Sequence, residues 1–229
     1  MAEQRPVQQQ VPVQKEPGLI SSVIGTLLLS LFLSIIVEWV CMTWVWTEAG
    51  AEHSKAVMYE EFGWFSSEFQ QSLIYNKPVA VGEESIRFLY EWLLVKTGIQ
   101  GWLDSPGAGW GRELYDYAGA YIEAMFYVII VFVIRLFIII LTSPLFLLAG
   151  LVGLVDGLVQ RDLRKFGVGR ESAFKYHHAK KSLTPIMLVA WILYLSIPFS
   201  IHPNLILIPA AVLFGLMIRL TASNFKKYL

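Results

Sequence analysis

The sequence predicts an all-α, polytopic membrane protein with four transmembrane helices, a helical periplasmic loop and a short basic cytoplasmic helical loop. Three observations predict it. Of 229 residues, 55% are hydrophobic and only 16% charged, with mean hydropathy +0.54, whereas a soluble domain carries roughly 25% charged residues. The apolar residues gather in a few long runs, which is the pattern of spans and not of half-buried surface helices. Charge also sorts by sign between the segments that join those runs. The single cysteine, Cys41, lies inside an apolar run, where it cannot form an intrachain disulfide and reads as packing.

Residues 1–18, "MAEQRPVQQQVPVQKEPG", are rich in Pro and Gln without apolar periodicity, the composition of a disordered tail. Residues 19–46 form the first predicted span. Leu19–Val37 is uncharged over 19 residues, and crossing the hydrocarbon takes about 20. The run exceeds the roughly 7–15 apolar residues of a signal peptide, and no small-x-small cleavage site follows. Trp39, Trp44 and Trp46 suit the headgroup layer.

Residues 47–117 form the long loop. Val57, Phe62, Phe65, Phe69 and Leu73 recur at helix-like intervals, as do Ile86, Tyr90, Leu93 and Leu94. "NKPVAVG" separates the two patterns and "DSPGAGWGRE" follows the second, both rich in breakers. Seven of the eight tryptophans fall between residues 39 and 110. Two helices lying against the outer leaflet follow from this, with a docking face for a periplasmic partner as the other reading.

Residues 118–148 form the second predicted span. The apolar run Ala124–Val155 covers 32 residues with one charge, Arg135, too long for one perpendicular crossing. Pro144 offers a kink or break, so a short helix near 148–166 is expected to bend onto the cytoplasmic surface. Residues 149–181 make up the basic segment. Residues 182–199 and 203–221 are the last two spans, joined by "SIPFSIHPN" with Pro198, Pro203 and Asn204. Residues 222–229 form a short tail.

Charge sets the orientation. Residues 48–116 carry eleven acidic and five basic residues, and residues 156–181 carry seven basic and three acidic. Basic loops stay in the cytoplasm, which places both termini there. The expected location is the bacterial inner membrane, crossed several times.

The search for reactive constellations is negative. No P-loop, HExxH, GxSxG or CxxC pattern occurs. His177 and His178 are adjacent and diverge by about 100° on a helix, which is wrong for a shared ion. No catalytic, cofactor-binding or metal-binding residue is expected, and the chain does not read as an enzyme. Three polar residues inside predicted spans stand out, Glu38, Glu123 and Arg135, because charge in hydrocarbon costs at least a few kcal/mol. Glu38 and Glu123 sit at matching depth, about 12 Å from the outer boundary at 1.5 Å per residue. A structural role, contact with a partner's helix and conduction of an ion or proton all stay open. Gly150, Gly153 and Gly157 follow small-residue spacing that lets another helix approach closely.

The stretch "QRDLRKFGVGRESAFKYHHAKK" holds the densest basic charge. Arg161, Arg164, Lys165, Arg170, Lys175, His177, His178, Lys180 and Lys181 are its candidate docking residues, with Gly167 and Gly169 as a hinge between two short helices. It reads as a topology signal in contact with anionic lipid, as a docking surface for a cytoplasmic protein, or as a nucleic-acid contact. The last lacks the groove-filling or base-stacking module that specific binding uses.

The run "GLVDGLVQRDLRKFGVGRESAFKYHHAKK" resembles the most distinctive block of the integrating conjugative element membrane proteins. These are four-span inner-membrane proteins encoded with type IV secretion and coupling-protein genes. The resemblance implies an inner-membrane component or accessory of conjugative DNA transfer, and the mechanistic expectation is a non-enzymatic protein whose basic cytoplasmic loop docks a coupling ATPase or secretion subunit. No catalytic residue carries over. The expected partners are the lipid bilayer and a coupling ATPase or other conjugation and secretion membrane proteins, with a homo-oligomer open and direct nucleic-acid binding the least favoured reading. The rival reading is a small membrane transporter, or a proton or ion pathway, using Glu38 and Glu123.

Overall fold

A computed structural model describes residues 19–70, 76–105, 109–166 and 173–225. Among these residues every regular element is helical. The elements are α1 (Leu19–Trp44), α2 (Ala51–Gln70), α3 (Asn76–Tyr90), α4 (Ile99–Asp104), α5 (Trp110–Phe166), α6 (Ala173–Ser196) and α7 (Pro203–Ser223). A π-helical turn, Glu91–Lys96, continues α3. Gly98 then turns the chain toward α4 at φ 75°, a left-handed conformation that glycine adopts without a Cβ clash.

The axis of the molecule is α5. Its 57 residues extend about 85 Å at 1.5 Å per residue, nearly three times the hydrocarbon thickness. The sequence suggests a break near Pro144 and a separate helix after it, but α5 runs through Pro144 unbroken. Packing explains this, because α7 lies along α5 beyond the proline. Phe146 meets Phe214, Gly150 lies beside Phe214 and Ile218, and Gly157 lies beside Arg219 and Ala222. The order of these contacts shows that α7 runs in the same direction as α5.

Helices α2 and α3 form a hairpin against the first half of α5. Contacts advance together from Val57 beside Val128 and Val131 to Glu61 on Arg135 and Phe65 on Phe137, so α2 runs with α5. The returning α3 brings Gly82 against Phe137 and Ile86 and Tyr90 against Ile130 and Ile134. A Cβ on Gly82 would lie 2.6 Å from the Phe65 ring, so the hairpin closes over that ring only because residue 82 is a glycine.

Exposure divides α5 in two. No residue from 124 to 139 is exposed, and Ile130, Ile134 and Ile138 are fully buried. From 140 to 163 the exposed positions are apolar apart from Ser143 and Asp162, the surface a helix presents to lipid.

Among the described residues three helices are long and apolar enough to cross a membrane: Val23–Trp44, Ala118–Arg164 and Pro203–Ser223. These support membrane association. The expected third span, 182–199, overlaps the end of α6, which stops at Ser196 and is not among the three. The basic residues Lys180 and Lys181 lie inside α6, so its apolar part is short. Where two helices are expected, a short one near Glu171 and then a span, α6 is continuous from Ala173. Residues 1–18, Gly167, Gly169, Arg170, Glu171, Lys226 and Lys227 lie outside the described residues, as do the side chains of Phe69, Lys165, Lys175 and His177; Leu73 lies outside them too.

Candidate functional site

The three polar residues singled out inside apolar runs have separate surroundings. Arg135 is 1% exposed. Its Nε donates to both carboxylate oxygens of Glu61, at 3.0 and 2.9 Å. Its Nη1 donates to the carbonyls of Tyr194 at 3.0 Å and Ile197 at 2.6 Å, and its Nη2 donates to Phe199 O at 3.0 Å. These carbonyls belong to the end of α6 and the turn into α7. Helix ends leave carbonyls without intrahelical partners, and the planar fork of one guanidinium supplies five donors. Arg135 therefore ties three elements together: α2 through charge, α5 through its own backbone, and the α6–α7 turn through hydrogen bonds.

Glu61 is itself fully buried. Burial pushes its carboxyl up, while the hydrogen bonds and charge of Arg135 pull it down. Neither ion has solvent to fall back on, so each depends on the other. The sequence reading did not single out Glu61, although its signal was present. Val57, Glu61 and Phe65 follow four-residue spacing, so an acid occupies the apolar stripe of α2.

Glu38 and Glu123 do not meet. Glu38 is 2% exposed and accepts a hydrogen bond from Ser54 Oγ at 2.7 Å, with His53 Nδ1 at 3.3 Å. The His53 ring stacks on Trp46 with centroids 3.9 Å apart. Glu123 is hydrogen-bonded to Tyr127 and lies in the field of Lys55. Helix α2 reaches between the spans, supplying His53 and Ser54 to Glu38 and Lys55 to the surroundings of Glu123, so the matching depths do not produce a shared site. Among the described residues no group of three or more His, Cys, Asp or Glu side chains converges as for a metal ion.

At the far end of the bundle, the small residues of α5 meet α7. A Cβ on Gly153 would overlap the Gly215 carbonyl, and one on Gly157 would lie 2.7 Å from Arg219 O. The face that the sequence offers to another helix is thus occupied by the chain's own α7. Arg164 donates to Ser223 O at the C-terminus of α7, where a cation suits the helix dipole. Arg161 lies over the Phe225 ring at 5.4 Å, and Arg219 pairs with Asp156. Lys180 and Lys181 are exposed on the first turns of α6, as is His178.

This arrangement joins a polar clamp at one level of α5 to close helix packing and basic charge at another. A family model described as "IncC plasmid conjugative DNA transfer protein DtrJ-like" matches residues 45–226. The chain belongs to the DtrJ-like family. The DtrJ-like match begins just after α1 and takes in α2 to α7, so it covers the whole Arg135 clamp and the basic end of the bundle but not Glu38. DtrJ-like membership makes this a protein of a conjugation-related family. No curated protein and no solved structure matches the chain significantly.

Proposed function

We propose that the protein is a non-enzymatic, four-span component or accessory of conjugative DNA transfer in the inner membrane, of the kind found in integrating conjugative elements beside type IV secretion genes. The observation that carries this reading is the DtrJ-like match over residues 45–226, on a chain with three helices long and apolar enough to span. The fourth crossing is α6. It joins α7 through the turn at residues 197–202, and its end is fastened beside Arg135. A helix that runs back along a spanning neighbour crosses the same layer.

The outward faces of α2, α3 and the π turn carry Glu52, Glu60, Glu84, Arg87, Glu91 and Lys96, charges that would be costly in lipid, whereas α5 beyond residue 139 exposes mostly apolar side chains. The long apolar run of α5 is then part core beneath the α2–α3 hairpin and part lipid-facing span.

The cytoplasmic end docks a coupling ATPase or secretion subunit. Arg161 and Arg164 are engaged with α7 and its end, so among the described residues the docking charge is Lys180 and Lys181. Affinity capture from donor cells should recover the partner, and Lys180→Glu with Lys181→Glu should weaken that recovery and transfer frequency together. Unchanged transfer after deletion of the gene would sink the reading.

A further inference from the structure

A cavity of about 240 Å³, open on one side, lies between α2, α3 and α5. Met58, Ile86, Ile130 and Ile134 form its buried wall. Arg87 and Glu91 line it from exposed positions, so they stand at its mouth. Residues four apart on a helix have Cβ atoms about 5–6 Å from each other. Among the described residues, neither Arg87 nor Glu91 forms an ion pair, with each other or elsewhere.

The wall and the mouth make different demands. An apolar cavity of about 150 Å³ accepts a benzene ring, so this one holds a short alkyl chain or part of a longer one. A wholly apolar ligand would leave both mouth charges unused. An anion would meet Arg87 but be repelled by Glu91, and a cation the reverse. A zwitterion with phosphate and ammonium two carbons apart satisfies both.

We propose that this cavity binds a zwitterionic amphiphile of the phosphoethanolamine class, with its chain against Ile130 and Ile134, its phosphate on Arg87 and its ammonium on Glu91. The ligand is either a bilayer phospholipid or a free single-chain lipid, since both carry the same headgroup. Supply from the bilayer rests on the membrane reading proposed above. Binding itself does not depend on it.

The test uses the full chain in a maltoside detergent with lipid retention read by native mass spectrometry. The probes are a short-chain lysophosphatidylethanolamine, a lysophosphatidylglycerol of equal chain length, and a diacyl phosphatidylethanolamine. The ethanolamine lysolipid should be retained about tenfold over the glycerol one. Arg87→Glu should lower the retention of both lysolipids, since both present a phosphate, and Glu91→Lys should turn the preference toward the anionic lipid. Both substitutions lie at exposed positions, so either one serves if the other folds poorly. Retention of the diacyl lipid as well identifies the bilayer as source, and retention of the lysolipid alone identifies the free lipid. Equal retention of both lysolipid headgroups by the unaltered chain, or an unchanged preference in Glu91→Lys, overturns the proposal. The membrane reading fails separately, if an impermeant thiol reagent applied outside does not reach a cysteine placed at Glu60 or Glu84.

Discussion

The two halves of α5 hold their neighbours by opposite means. Around Arg135, three elements converge on one side chain that uses every donor it has. Around Gly153, two helices approach because there is no side chain between them. The first arrangement depends on a long side chain being fully satisfied, the second on small residues keeping the backbones close. Loss of a partner breaks the first, and an added methyl group breaks the second. One helix therefore carries two joints with opposite weaknesses.

The largest effect is expected at Arg135. Arg135→Ala or Glu61→Ala should each destabilise the protein by about 3–5 kcal/mol, because the remaining charge is buried without a partner. Unfolding in detergent measures this. The double variant Glu61→Leu/Arg135→Met should lose clearly less than the sum of the single losses. Strict additivity would break the comparison, since it would mean that the ions act independently.

Gly153→Val should come next, at about 1–3 kcal/mol, the usual cost of overpacking. Gly150→Ala sharpens this case. A Cβ there would meet the tip of Ile218 at 3.1 Å, and that flexible end has more freedom to shift than a backbone carbonyl. It should cost less than Gly153→Val in the same assay, and equal costs would argue against backbone approach as the cause.

A smaller effect is expected at Trp39, whose Nε1 donates to Tyr121 O at 3.0 Å from an exposed position. Trp39→Phe should remove about 0.5–1.5 kcal/mol, which separates one ordinary hydrogen bond from the convergent set on Arg135. The smallest effect on folding belongs to Lys180→Glu with Lys181→Glu, expected within about 0.5 kcal/mol of the parent as for other surface changes. That pair should act on partner capture instead.

Much of the helical architecture was legible along the chain. The two loop helices follow from the spacing of Val57 and Phe65 and of Ile86 and Tyr90, and α7 from the apolar run after Pro203. Arg135 stood out because charge is rare in such a run. Its partner did not, since Glu61 lies 74 residues away and only folding brings the two together. The glycines at 150, 153 and 157 signalled close packing, yet nothing local says that α7 is the helix that fills the groove. The basic stretch likewise mixes two uses. Arg161 and Arg164 hold the end of α7, while Lys180 and Lys181 stay exposed.

Hydrophobic partitioning and charge sorting depend on residue type over about twenty neighbours. For that reason the sequence by itself determined that the chain is helical, rich in long apolar segments and polarised in charge. It could not divide the apolar run of α5, because an isoleucine facing lipid and one facing α2 or α3 look alike in a sequence. Tertiary structure decided that division. Only when the α2–α3 hairpin covers residues 124–139 does the first half of the run become protein core, with Arg135 marking where that cover meets the α6–α7 turn.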